Sequence, residues 1–298
     1  MPAARYAEDM TTHRPYPSDL SDARWTLVEP VLAAWRAARQ EKALVITHAP
    51  EVELRAVMDA ILHVDRTGIP WRYLPHDYPN WNTVYHYFTW WCDDGIFEEL
   101  SGLLRRLVRT HEGRSAEPSA CVIDAQSVKT ATSVPTATQG TDANKKIVGR
   151  KRHIVTDTLG LLLAVLVTAA SVQDSTAGKK LLTSVAATHS TITKSWVDGG
   201  YNTTVTEHGA RLGIDVEVVH RAPGTRGFTV IPRRWVVERS LGWLMTHRRL
   251  ARDYETLPHH SEAMIQIAMI DNLARRATGD TTPTWHDPAP TPETLSTG

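Results

Sequence analysis

Two short apolar runs in this chain each end on an aspartate, and a lone glutamate follows in a basic segment. Asp124 ends the run Cys-Val-Ile-Asp, and Asp198 ends the run Ser-Trp-Val-Asp. Glu238 is the single acid among the eight arginines of residues 221–252. Hard divalent cations prefer carboxylate oxygens, and Mg²⁺ commonly binds one or two of them together with phosphate oxygens. If the fold brings these acids together, they could form a divalent-metal site that cuts a phosphate backbone.

Glu238 also has a simpler interpretation. Arg234 lies four residues before it, so the two side chains would form an i,i+4 ion pair on one helical face. The two aspartates upstream favour the metal site, but for Glu238 alone the ion pair remains the alternative.

The elements that must position these acids are predicted from residue 118 onward. Apolar runs and turn residues predict a strand, a hairpin, a helix, a strand, a helix, a strand and a helix. The predicted strands cover residues 120–124, 151–156, 161–168, 195–198 and 215–219. This order indicates an α/β fold in which a mixed sheet is flanked by helices. Ligands of such sheets gather at the carboxyl ends of strands, where Asp124 and Asp198 are expected.

The preceding part of the chain has helical patterns only. We therefore divide the chain into a flexible arm, an all-α domain that binds DNA, a catalytic domain and a disordered tail. These four parts are residues 1–17, 18–117, 118–276 and 277–298. The tryptophans of the all-α part recur at helical spacing, so we expect most of them to lie in its core rather than to stack on bases.

Charge is unevenly distributed along a chain whose formal net charge is zero. Residues 1–117 hold 13 Lys and Arg against 17 Asp and Glu, and the remainder holds 20 against 16. Most of the basic excess lies in residues 129–152 and 221–252. Such concentrated basic patches suggest that one face contacts a polyanion, although solvated arginine faces on helices would give the same pattern.

The cysteine count excludes some classes of site. Cys92 and Cys121 are the only cysteines, so we expect neither a disulfide framework nor a cysteine-based zinc site. Four histidines are considered as metal ligands: His153, His189, His259 and His260. They show no metal-ligand spacing, and we expect them to be structural or exposed.

Nothing in the sequence predicts a membrane protein. No signal peptide is visible, and the longest apolar stretch, residues 161–170, is too short to span a bilayer. We therefore expect a soluble cytoplasmic protein.

Several segments, taken together and in order, resemble the DDE transposases of bacterial insertion sequences. In the second half the matching segments are residues 122–130, 149–157, 197–201, 234–239, 243–244 and 248–250. In the first half they are residues 20–25, 66–75 and 81–85. The likeness covers roughly residues 18–276. Each motif is weak alone, but the ordered set is specific.

That resemblance implies an RNase H-like catalytic domain preceded by an all-α N-terminal domain. It implies that Asp124, Asp198 and Glu238 are the catalytic triad that binds Mg²⁺ or Mn²⁺. The reaction would hydrolyse DNA at the element's ends, and the freed 3′ hydroxyl would attack a target phosphodiester.

The partners would be double-stranded DNA, as terminal inverted repeats and as target, and a second copy of the chain in the synaptic complex. The protein would be associated with the bacterial nucleoid. The candidates for contacts with the DNA backbone are Lys129, Lys151, Arg152, Arg234 and Arg239.

Two positions depart from the pattern of the resembling enzymes. Ile231 stands where a Tyr is common, three residues before Arg234, and Met245 stands where a Lys is common, seven residues after Glu238. These differences bear on contacts with the DNA ends and leave the three acids unchanged.

Two alternatives to an active transposase remain open at this stage. One is a catalytically inactive or domesticated DNA-binding protein of transposase origin. The other is a stand-alone metal-dependent nuclease of the same fold. The all-α region favours recognition of a specific site over unspecific cutting, and inverted repeats flanking the gene would favour the active transposase.

Overall fold

A computed structural model describes residues 15–42, 52–201, 203–219 and 235–281 of the chain. Most of the predicted arm, residues 1–14, and most of the predicted tail, residues 282–298, lie outside the described residues. The same is true of Arg234.

The first part of the described chain is helical, as predicted. Its helices are α1 (Asp22–Lys42), α2 (Leu54–Thr67), α3 (Trp81–Asp93) and α4 (Ile96–His111). Local residue chemistry sets their ends. Gly68 adopts φ +75° just after α2 and donates its N–H to the carbonyl of Val64. The side chain of Asn80 caps α3 by accepting the N–H of Asn82 at 2.9 Å.

The second part alternates strands and helices in the predicted order, with one additional strand, β2, that was not predicted. The strands are β1 (Ala120–Lys129), β2 (Gly140–Asp142), β3 (Ile147–Asp157), β4 (Leu162–Ala169), β5 (Lys194–Val197) and β6 (Asp215–Val218). The helices are α5 (Asp174–Thr188), α6 (Thr203–Arg211), α7 (Trp235–Leu244) and α8 (Pro258–Thr278).

These strands form one mixed sheet with β1 near its middle. β3 runs antiparallel to β1 on one side, and β2 and β4 pair antiparallel with successive stretches of β3. β5 runs parallel to β1 on the other side, and β6 runs parallel to β5. β1 thus belongs to both an antiparallel and a parallel ladder.

The strand that carries Asp124 is longer than predicted. β1 continues to Lys129, so the expectation that Asp124 ends a strand is wrong. Its second half remains paired because β3 extends beside it, with Lys129 opposite Gly149. β5, in contrast, ends at Val197. Asp124 therefore lies in the middle of β1, near the point where the parallel neighbour stops.

The segment predicted as a mobile loop, residues 130–144, contains local structure. Thr136–Thr138 form a 3-10 turn, and β2 follows it. The guanidinium of Arg150 in β3 donates to the hydroxyl of Thr138 at 2.7 Å. A buried arginine thus fixes a segment whose composition is that of a loop.

The two faces of the sheet bury different clusters of apolar side chains. Cys121 and Ile123 face a cluster that includes α5 and α6. Val122 faces the other cluster, which also contains residues of α7, α8 and the N-terminal helices. Successive residues of a strand point to opposite faces, so even-numbered positions of β1 point toward α7 and α8. One cluster therefore extends across the predicted domain boundary at residues 117 and 118, and that boundary stays a prediction.

The tryptophans of the helical part are mostly core, in agreement with the prediction. Trp91 is fully buried, and Trp71 and Trp81 pack against the buried cluster. Trp90 is the exception, with its ring exposed beneath the guanidinium of Arg39.

α8 is the central helix of the larger cluster. It packs against α4 and against β4 on the sheet, and most of its apolar residues are buried. α1 and α8 are the longest helices in the described ranges, with 21 residues each. Among the residues that the structure describes, no helix is long and apolar enough to cross a membrane.

Gly160 offers a test of how α7 is held on the sheet. Its φ is +83°, and an added Cβ would lie 2.7 Å from the hydroxyl oxygen of Ser240 in α7. We expect Gly160→Ala to lower the free energy of unfolding by about 1–3 kcal/mol, because the backbone becomes strained and α7 must move.

The matched control is Gly242→Ala in α7 itself, where an added Cβ meets nothing within 4 Å. That change should raise the free energy of unfolding by about 0.5–1 kcal/mol, since alanine loses less backbone entropy in a helix. Urea unfolding of both variants measures the difference, and equal stability of the two would contradict this description of the contact.

Candidate active site

Asp124 points toward the face of the sheet on which α7 packs. It is 8% exposed and lies opposite Ile154 of β3. Val122 and Ile154 belong to the same buried cluster as Val237 of α7. Residues two apart on a strand, and residues directly opposite on neighbouring strands, point to the same face of a sheet. The carboxylate of Asp124 therefore points to the same face as Val122 and Ile154. One of its oxygens accepts the N–H of Ala125 at 2.7 Å.

The parallel pairing of β1 with β5 brings together the residues that precede Asp124 and Asp198. Ala120 lies opposite Lys194 and Val122 opposite Trp196. Each aspartate comes two residues after the last of these pairs, and β5 itself ends at Val197. Adjacent strands lie about 4.8 Å apart, so the two chains run close together just before the aspartates.

The carboxylate of Asp198 is held at the start of a turn. Its Oδ1 accepts the N–H of Gly200 at 2.8 Å, and the backbone N–H of Tyr201 donates to its carbonyl at 3.1 Å. The side chain is half-buried. A local hydrogen bond of this kind restricts the rotamers of the carboxylate, which favours a fixed ligand over a mobile one.

Glu238 lies in the first turn of α7, which packs on β1 and β3. The hydroxyl of Ser240 donates to the carbonyl of Gly160 at 2.7 Å, and Arg239 donates to the carbonyl of Leu159 at 3.0 Å. The turn between β3 and β4 thereby fixes the middle of the helix, directly after Glu238. Glu238 is consequently carried on the side of β1 toward which Asp124 points.

A second group of charges adjoins Asp198. An added Cβ on Gly200 would lie 3.0 Å from Oδ1 of Asp198 and 3.3 Å from Oδ2 of Asp174, so the two carboxylates flank this glycine. Asp174 in turn lies 3.0 Å from Nζ of Lys151. Asp174, Lys151 and Gly200 line a cavity of about 310 Å³ that also includes Asp142. Sequence patterns gave no reason to select Asp142 or Asp174.

His153 lies beside this group and is fully buried. Its Nε2 is 3.0 Å from the hydroxyl of Thr168, and its Nδ1 is 3.9 Å from Asp174. Burial lowers the pKa of His153 to about 4, so the imidazole is neutral at neutral pH. It therefore adds no positive charge beside Asp174.

The basic residues expected to contact DNA lie in different environments. Lys129, at the end of β1, is exposed. Lys151 is 6% exposed, and its ammonium donates to the carbonyl of Val172 in addition to its ion pair with Asp174. The side chain of Lys129 is accessible to solvent, whereas the ammonium of Lys151 is held inside.

The arginines differ in the same way. Arg152 is 1% exposed and donates to the carbonyl of Leu250 at 2.6 Å. Burial lowers its pKa to about 10, which still leaves it charged at neutral pH. Arg239 is half-buried, and its guanidinium lies over the ring of Trp243. The predicted DNA contact of Arg234 falls outside the described residues.

Comparison with known families identifies the chain. A model described as "Transposase DDE domain" matches residues 115–273, which is more than half of the chain. The chain belongs to this transposase family. A second model, described as "Putative transposase of IS4/5 family", matches residues 20–101. A search among curated proteins gives no match.

The family agrees with the architecture and with the recognition made from the sequence motifs. The transposase has a helical N-terminal region followed by a mixed α/β domain, consistent with an RNase H-like fold. The family also implies that the transposase binds DNA and that it depends on a divalent metal.

Two lysines of the transposase allow a direct test of which basic residues contact phosphate. Each phosphate contact contributes about −0.9 to the slope of log K against log salt concentration. Lys129→Gln should make this slope shallower by about 0.9, because its exposed ammonium would lose one contact. Lys151→Gln should leave the slope unchanged and lower thermal stability, because Asp174 loses its buried partner.

Binding isotherms at several salt concentrations, on one duplex, measure both slopes. A shallower slope for Lys151→Gln would show that this side chain leaves its buried position and reaches the DNA.

Proposed function

We propose that this transposase catalyses metal-dependent cleavage and strand transfer of DNA at the ends of an insertion sequence. Asp124, Asp198 and Glu238 are the proposed catalytic acids and metal ligands. The observation that supports the proposal is the β1–β5 register, in which Val122 lies opposite Trp196, two residues before Asp124 and Asp198 respectively.

The donor set fits a hard divalent cation. All three residues offer carboxylate oxygens, which are suitable ligands for Mg²⁺ and Mn²⁺ and poor ligands for softer cations. Asp124 lies in β1, Asp198 directly follows β5, and Glu238 lies on a helix fixed by hydrogen bonds to the turn after β3. Ligands on rigid elements can hold one geometry with little loss of entropy on binding.

The proposed reaction has two steps that need no covalent bond to the protein. Water attacks a phosphodiester at the element's end, the bond from phosphorus to the 3′ oxygen breaks, and a 3′ hydroxyl is released. That hydroxyl then attacks a phosphodiester of the target DNA and displaces its 3′ oxygen. Bound Mg²⁺ or Mn²⁺ supplies activation of the attacking oxygen and stabilisation of the leaving one.

The protein's own part is to bind and orient the DNA strand. Lys129 is the best supported phosphate contact, since it is exposed at the end of the strand that carries Asp124. Arg239 and Arg234 remain proposed contacts beside Glu238. Lys151 and Arg152 are better assigned to holding the sheet and the Asp174 cavity, because their charged groups are buried.

Joining two ends of an element requires both ends to be held at the same time. We therefore infer that two copies of the chain act together during synapsis, each binding one terminal inverted repeat. Residues 18–117 are proposed to recognise the repeat, which is supported by the match of their helical part to a transposase model.

Glu238→Gln tests the proposed triad while preserving size and hydrogen bonding. We expect it to lower nicking of a labelled duplex that carries the terminal repeat by at least about a hundredfold, because a metal ligand is lost. Binding to the same duplex should be largely unchanged. Asp124→Asn should behave in the same way.

Glu207→Gln is the matched control, since Glu207 is an exposed acid on α6. It should nick at the rate of the unchanged protein. If Glu238→Gln still nicked the duplex at the rate of the unchanged protein, the assignment of Glu238 to the triad would be wrong. Binding without nicking by the unchanged protein, with Mg²⁺ and both ends present, would favour an inactive end-binding protein instead.

A further inference from the structure

A cysteine and two histidines meet where the carboxyl end of α3 lies against the amino end of α8. They are Cys92 in the last turn of α3, and His259 and His260 in the first turn of α8. One potential ligand atom from each lies within 4.8 Å of the others. The two halves of this cluster are 167 residues apart in sequence, so the fold alone brings them together.

Local contacts fix the inner side of this cluster and leave its outer side open. His260 is 4% exposed, and its ring packs edge-to-face on Phe88 at 5.2 Å between centroids. The thiol of Cys92 lies 3.7 Å from the carbonyl of His259. The side chain of His259 is 47% exposed, and its Nε2 lies 3.6 Å from Oδ1 of Asp93. A solvent ion can therefore reach the cluster from the side of His259 and Asp93.

The protonation of these groups suits a cation that displaces one proton. Burial lowers the pKa of His260 to about 4, so its imidazole is neutral and offers a lone pair at neutral pH. Burial raises the pKa of Cys92 to about 12, so the group is a thiol until a cation replaces its proton. Cations that bind thiolate do this at neutral pH, with release of one proton to solvent.

The donor types select the kind of metal. One thiolate and two imidazoles suit Zn²⁺ and related borderline cations, and they do not suit Mg²⁺. Zn²⁺ lies about 2.3 Å from sulfur and about 2.0 Å from imidazole nitrogen, so a bound ion would need these atoms closer together than the 4.8 Å limit. The exposed ring of His259 can supply that movement by rotation. Asp93 or a water would complete a tetrahedron.

We propose that Cys92, His259 and His260 form a binding site for Zn²⁺ or a similar borderline transition-metal ion, separate from the three catalytic acids. The site connects α3 of the helical region to α8, the helix that packs on both α4 and the sheet. Bound metal would stabilise this connection because it binds the folded chain and has no preformed site in the unfolded one. From the sequence we expected neither a cysteine-based zinc site nor a metal-binding role for His259 and His260, because sequence spacing does not show that Cys92 lies beside a distant helix.

Co²⁺ is the probe, because a thiolate ligand gives it an absorption band that carboxylates do not. The full chain is stripped of metal, kept reduced, and titrated with Co²⁺ in an excess of Mg²⁺, which competes for the oxygen ligands. We expect one equivalent of Co²⁺ to produce a thiolate-to-cobalt band, and Zn²⁺ to remove that band and raise the melting temperature.

Cys92→Ser and His259→Ala are the test variants, and the second cysteine, Cys121, is an internal control because it is fully buried in β1. Cys92→Ser should abolish the band, and His259→Ala should weaken Co²⁺ binding at least about tenfold. Zn²⁺ should not raise the melting temperature of Cys92→Ser.

The proposal is overturned if the unchanged chain shows no band, if the band survives in Cys92→Ser, or if His259→Ala binds Co²⁺ as tightly as the unchanged chain. Should Cys92→Ser fail to fold, as judged by circular dichroism of the metal-free protein, the exposed variant His259→Ala decides. None of these readouts requires DNA, so they are independent of the proposed cleavage.

Discussion

The parallel pairing of β1 with β5 is the constraint on which the candidate active site depends. Its register sets Val122 opposite Trp196, two residues before Asp124 and Asp198, and β5 ends at Val197. A slip of one residue would turn one of the two carboxylates toward the opposite face of the sheet. Apolar burial opposes such a slip, because Cys121 and Ile123 fill one cluster while Val122 fills the other. The packing that stabilises the sheet thus also sets the geometry of the acids.

Buried charges join the sheet to the helices around it. Arg150, which has no exposed surface, donates to the carbonyl of Glu255 and to the hydroxyl of Ser261, and it pairs with Asp253. The ion pair between Arg109 and Asp157 connects α4 to the end of β3 in the same way. Removing one partner of such a pair costs about 3–5 kcal/mol, because the remaining charge stays buried. Some side chains of the basic segments therefore form buried ion pairs that stabilise the fold, and only the others are available to bind DNA.

Much of the fold could be predicted from sequence, whereas contacts between distant segments could not. Apolar periodicity and turn residues predicted the helices and the strand order, and the motifs identified the family. The prediction that Asp124 ends a strand was wrong because the second half of β1 is polar and lacks the apolar pattern of a strand. It is a strand nevertheless, since β3 pairs with it. Lys151 and Arg152 looked available to DNA because a charge count carries no information on burial. Asp174 had no pattern to mark it, since its neighbours come from other elements.

α8 shows why the helical region and the catalytic domain should be considered together. Its body packs on α2, α4 and α7, and its first turn holds the two histidines near Cys92. α7 carries Glu238 and packs on both β1 and α8, so a displacement of α8 would also displace α7. A cation at the first turn of α8 would stiffen this support without contacting the acids. Coupling between the metal site and the acids requires only that both sites share a rigid element, here α8. A regulatory switch would also require a second arrangement of α8 that binds the metal with a different affinity.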